Sequence, residues 1–104
     1  MAFNGTEGGE ISLETAADMT AAYRSANPGA IKARFFGRDI LEDLMKQEGC
    51  MGLRIYYGLN EDAVSQLVVV GADADQNDML NKIADTSIPC PDQCGAANVL
   101  NGNR

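Results

Sequence analysis

Residues 51–72 read MGLRIYYGLNEDAVSQLVVVGA, and this stretch decides the fold. Met51, Leu53, Ile55 and Tyr57 alternate with Gly52, Arg54, Tyr56 and Gly58, which is the period of a strand with one buried face. Asn60 to Ala63 make a turn, and Gln66 to Ala72 form a second strand. So short a connection permits only antiparallel pairing, because a parallel return needs a crossover of about a dozen residues. Leu67, Val68, Val69 and Val70 are consecutive, so apolar groups fall on both faces of the second strand and each face needs a cover.

Outward from this hairpin, helices are the expected covers. Gly49 closes a helix over Arg38–Glu48, in which Ile40, Leu41, Leu44 and Met45 share one side and Asp39, Glu42, Asp43 and Lys46 the other. A second helix follows Ser12, whose hydroxyl suits an N-cap, and carries Leu13, Ala16, Ala17, Thr20 and Tyr23 at helical spacing until Asn27-Pro28-Gly29 stops it. Ile31 to Phe36 is open between two readings: Ile31, Ala33 and Phe35 alternate like a strand, while Ala33, Phe36, Gly37, Ile40, Leu41 and Leu44 would continue a helix, and Gly37 as a junction favours the strand. Beyond the hairpin, Asp73 to Asp78 is a polar loop, and Asp78 is placed to cap a brief helix with Met79, Leu80, Ile83 and Ala84. The sequence therefore predicts an α+β fold, a two-layer sandwich of helices on a small, mainly antiparallel sheet with a central hairpin. Its expected organisation is a flexible lead-in over 1–10, one domain over 11–88, and an irregular tail over 89–104 that bears cysteine, proline and asparagine.

Composition narrows the function classes. Fifteen acidic and eight basic residues give a net charge of −7, and the basic residues are scattered, so nucleic acid is not an expected partner. No run approaches the length of a membrane span and no basic-then-apolar leader opens the chain, which makes a cytoplasmic protein the expectation. The chain holds no histidine, and no serine or cysteine lies in a nucleophile motif, so the inventory leans against an enzyme.

Cys90-Pro91-Asp92-Gln93-Cys94 is the most distinctive local feature. Two thiolates at this spacing make half a zinc site, which Cys50, a carboxylate or a second chain would have to complete. A Cys90–Cys94 bridge is sterically open if Pro91 bends the chain, although a reducing cytosol argues against its persistence. Two free thiols packed in the tail are the third alternative. No cofactor is expected, with zinc as the alternative on Cys90, Cys94 and Cys50. Asp73, Asp75 and Asn77 imitate the start of a calcium loop, but Asp78 stands where that loop requires Gly and Ala84 where it requires Glu. Arg54 and Tyr56, with Val68 and Val70 of the second strand, are the candidate contact residues. A strand apolar on both faces makes a protein partner or self-association, such as a homodimer, the expected mode of action.

Phe36-Gly37-Arg38 before a helix, Gly49-Cys50, Gly52 to Tyr56, Leu67 to Asp73, Asn77-Asp78 and the closing Pro89-Cys90-Pro91 with Cys94 resemble a family of small bacterial proteins of uncharacterised activity. The resemblance covers about two-thirds of the chain. It implies that the hairpin and the cysteine-bearing tail belong to one recurring design, and it assigns no site. The expected function is a non-enzymatic interaction or assembly module acting through an apolar sheet face, with a metal- or redox-responsive protein using Cys90 and Cys94 as the alternative.

Overall fold

Backbone alternation and helical spacing divide the chain into two helices and five strands in a computed structural model that describes residues 2–102. Helix α1 spans Leu13–Ala26, strand β1 Ala33–Phe35, helix α2 Arg38–Met45, and strands β2 to β5 Cys50–Leu59, Ser65–Asp73, Asp78–Ala84 and Ile88–Cys90. The architecture is α+β and both sheets are antiparallel. The elements belong to two compact units, one of residues 2–8 with 36–87 and one of 9–35 with 88–102.

In the first unit β2 and β3 form the expected hairpin, in a register that places Arg54 opposite Val70, Ile55 opposite Val69 and Tyr56 opposite Val68. Asn60 shapes its turn, its Oδ1 accepting the backbone N–H groups of Asp62 and Val64. β3 is the centre of a β2-β3-β4 sheet. Helix α2 lies against this sheet: Leu44, Val69 and Ala84 are buried together, with Phe36, Ile40 and Leu53 packed around them. Asp39 in the first turn complements the positive end of α2, which stops at Met45 with Lys46 as its cap, short of the expected Glu48; Gly49 at φ 86° lies in the turn that leads on into β2.

The segment Asp78–Ala84 corrects the helix expected there. It pairs with β3 as strand β4, with Ala72 opposite Asp78, Gly71 opposite Met79, Val70 opposite Ile83 and Val69 opposite Ala84. The register shift between the two halves absorbs Leu80 to Lys82 as a bulge. The apolar spacing mimics a helix, but a free helix of this length is marginal, while pairing supplies β3 with backbone partners along its second edge. The loop before it is a hairpin turn. Asp73 Oδ1 accepts the N–H groups of Asp75 and Asn77, and Gln76 takes φ 72°.

Residues 2–8 fold back against this unit: the Phe3 N–H donates to the Ala74 carbonyl, and the Glu7 carboxylate accepts the N–H groups of Asn4 and Gly5. The Asn4 N–H, then the backbone N–H of Glu7 itself and that of Gly5, hold the Glu7 pKa below the usual carboxylate range.

The second unit holds α1 and the two-stranded β1–β5 sheet. Ser12 caps α1 through the Thr15 N–H as its sequence position predicts, and Asn27 closes it onto the Tyr23 carbonyl. The strand favoured within 31–36 is β1, and its partner is β5, which corrects the irregular tail expected from residue 89. Pro89 lies in β5, which a proline tolerates because this two-stranded sheet leaves one edge of each strand open. The Lys32 N–H extends the contact by donating to the Cys90 carbonyl, and the Arg24 guanidinium donates to the Leu100 carbonyl at 2.7 Å.

Candidate interaction surface

The two faces of the β2–β3 hairpin have different fates. On one face lie Arg54, Tyr56, Val68 and Val70, the four residues singled out from the sequence, and the register does bring them together. Val70 is buried and Val68 half-buried, so neither offers much surface. Arg54 and Tyr56 reach across β3 to Asp78 at the start of β4. Arg54 Nη1 donates to Asp78 Oδ1 at 2.5 Å and to the Gln76 carbonyl, while the Tyr56 hydroxyl donates to Asp78 Oδ2. Ala72, opposite Asp78 and small, leaves the strand between them low enough to cross. The Phe3 ring sits 5.5 Å from the Arg54 guanidinium, a cation–aromatic contact that pins the N-terminal segment to this face.

This cluster sets the local electrostatics. The Tyr56 hydrogen bond, and then Arg54, hold the Asp78 carboxyl below its usual range. The same hydrogen bond raises the Tyr56 pKa, because ionising the phenol beside a carboxylate would break the bond and set two negative charges together. Every group in the cluster is partnered by another, which is the arrangement of a structural clasp and not of a poised acid or base.

The opposite face is the uncovered one. Alternation places Ile55, Tyr57 and Leu59 on the same side as Leu53, which packs under α2. Yet Ile55 is 54% exposed, Tyr57 93% and Leu59 71%. Length explains the difference. A strand of ten residues runs about 33 Å, whereas a helix of eight runs about 12 Å, so α2 covers one end of β2 and leaves the other bare. The two Asp and Glu residues nearest this apolar end, Glu61 and Asp62, lie in the turn and outside both strands.

A cleft of about 430 Å³ borders β2, walled by Phe3, Gly5 and Glu7 on one side and by residues 51–55 on the other, with Ala72 at its base. Phe3, Arg54 and Ala72 in its wall place it at the Arg54 face of the sheet, near the start of β2.

Cys90 and Cys94 form a disulfide with their Cα atoms 4.8 Å apart, while Cys50, in the first unit, is a free thiol whose Sγ lies 3.2 Å from the Gly52 carbonyl. While the bridge is closed neither of its sulfurs is a thiolate available to a metal. Among the described residues, no three Cys, Asp or Glu side chains are grouped as metal ligands would be. Among those residues, too, no helix is long and apolar enough to cross a membrane.

Sequence reasoning found the β2–β3 hairpin and which of its residues share a face, but missed Asp78 as the partner of Arg54 and Tyr56 and missed Tyr57 and Leu59 as exposed. The shortness of the apolar run in α2 was the one available sign that the hairpin face would be only partly covered. No family model, no curated protein and no solved structure matches this chain, so the reading of its function rests on the geometry described above.

Proposed function

We propose that this chain is a non-enzymatic interaction or assembly module that binds protein through the uncovered apolar face of its β2–β3 hairpin. The observation that carries this reading is the run of Ile55, Tyr57 and Leu59, which continues the core face of β2 past the end of α2 into solvent. Monomers seldom expose contiguous apolar residues on a rigid strand unless another chain covers them, and a tyrosine at the centre of such a patch is a frequent anchor of protein interfaces. Arg54, Tyr56 and Asp78 satisfy one another, which also favours binding over catalysis. The test is photo-cross-linking from position 57 in the native cell: a covalent adduct to protein is expected, and a clean absence of adducts would remove the reading.

The Cys90–Cys94 bridge supports a second reading, in which the C-terminal segment responds to redox state. A reductant would convert the disulfide to two thiols, giving up its own two electrons and two protons. Native mass spectrometry with and without reductant checks this: a gain of two hydrogens without bound metal supports redox response, and metal uptake by the reduced form points instead to ligation.

A further inference from the structure

β2 is an edge strand, so its N–H and C=O groups directed away from β3 face no other strand of the sheet. Edges are usually blunted by lysine, proline or inward charge, because a long bare edge is a template for another strand. From Leu53 to Leu59 β2 has none of these devices, its one bulge lying at Met51. Its single charged residue is Arg54, already held by Asp78, and none of the chain's fifteen acidic residues lies in it. In a chain of net charge −7, whose copies repel over most of their surface, the strand free of carboxylates is where two copies can meet.

The strand is also self-complementary. About Ile55 its residues run Gly52, Leu53, Arg54 on one side and Tyr56, Tyr57, Gly58 on the other. We propose that two copies of this chain pair β2 with β2, antiparallel, about a two-fold axis at Ile55, and so join two three-stranded sheets into one of six strands. The pairing sets Leu53 beside the second copy's Tyr57, both on the α2 side of the sheet, while Arg54 and Tyr56 of each copy stay in their own clasp with Asp78. Gly52 faces Gly58, and no like charges are opposed. The uncovered Tyr57 of each copy thereby reaches the end of the neighbouring sheet where α2 sits, so the contact that completes the edge also shelters the bare face.

The cleft lined by Phe3, Gly5, Glu7 and residues 51–55 borders the end of β2 that the second copy's residues 55–58 would approach, and the one carboxylate in its wall, that of Glu7, is held by the N–H groups of Asn4 and Gly5. The ladder ends at Gly52, because a Cβ built on Gly5 would lie only 3.5 Å from the Met51 carbonyl oxygen and leaves no space for another strand there.

This inference rests on the reading of the hairpin as an interface, and the experiment separates the two. The chain carrying Cys50→Ala, with Ile55→Cys or Leu59→Cys added, is treated with a mild oxidant after sedimentation of the unmodified protein. The expected results are a doubled mass in the unmodified protein, efficient cross-linking of the Ile55→Cys chains, and none of the Leu59→Cys chains. Residues 55 of the two copies face each other with Cβ atoms about 5 Å apart, whereas residues 59 are separated by about 26 Å. A monomeric mass at high concentration, or cross-linking through position 59 in place of 55, overturns the β2 pairing. Should either occur while position 57 still captures a different protein in the cell, the interface reading stands and only the two-fold pairing falls.

Discussion

Replacing Gly71 by alanine tests the packing of α2 against the sheet at its tightest point. The added Cβ would lie 3.0 Å from Cys50 Sγ, 3.0 Å from Gln47 Nε2 and 3.4 Å from the Leu44 backbone oxygen. Each neighbour is tied. Gln47 Nε2 donates to the Leu44 carbonyl at 2.9 Å, so swinging it away releases a helix-end carbonyl and costs about 1 kcal/mol. The Leu44 oxygen is α2 backbone, and it cannot retreat without lifting the fully buried Leu44 side chain from the core. Overpacking of this kind costs about 1–3 kcal/mol, and the smaller entropy of an unfolded alanine chain returns about 0.4–1 kcal/mol. The net expectation is a loss of about 1–2 kcal/mol, read by urea unfolding followed by far-UV circular dichroism, with an unchanged dependence on urea. Adding Cys50→Ala removes one of the two closest contacts and should recover at least about 0.5 kcal/mol of that loss, because neighbouring residues couple. A Gly71→Ala chain as stable as the unmodified one, or a loss that Cys50→Ala leaves untouched, would refute this account of how helix and sheet meet.

Two further outcomes follow from the same unit. Leu44→Ala empties the centre of the cluster formed with Val69 and Ala84, and urea unfolding should register a loss of about 2–5 kcal/mol; a smaller change would mean that α2 does not anchor the sheet. Asp78→Asn tests the clasp through pH. Folding lowers the Asp78 pKa, chiefly through Tyr56 and then Arg54, so as pH falls the unfolded chain takes up the proton first. The clasp therefore contributes fully near neutrality and fades from about pH 5 downward, as pH passes the unfolded and then the folded pKa. Asp78→Asn should be the less stable chain at pH 7 and should lose less stability than the unmodified protein between pH 5 and 3, with Glu7 and Asp43 still contributing to the remaining slope. Identical slopes would contradict the clasp.

The elements legible in the sequence are those whose signal is local. Alternation from Met51 to Gly58 gave β2 and its two faces, and the polar residues from Asn60 to Ala63 gave the turn. Helical spacing gave α1 and α2, with Ser12 marking the start of α1, whereas α2 stops at Met45, before the end that Gly49 suggests. The elements it concealed are those whose cause lies elsewhere in the chain. Met79, Leu80, Ile83 and Ala84 have helical spacing, and only the open edge of β3 makes them a strand with a bulge. Ile88-Pro89-Cys90 has no period at all, and it is a strand because Ala33–Phe35 lies beside it. The same division runs through the candidate surface. That Ile55 and Tyr57 share a face with Leu53 follows from alternation alone, while their exposure depends on where an eight-residue helix comes to rest. Asp78 reads as the cap of a helix and is instead the first residue of a strand, and its bonds to Arg54 and Tyr56 depend on the register of three strands.

The central claim is that the bare end of the β2–β3 hairpin is covered by another protein chain when the molecule is at work. Photo-cross-linking from position 57, set against the same reactive group at Leu80, an exposed apolar residue in the β4 bulge, meets that claim most directly. The account predicts a discrete protein adduct from position 57 and little or none from position 80. Equal labelling from both sites, or no adduct from position 57, would contradict it.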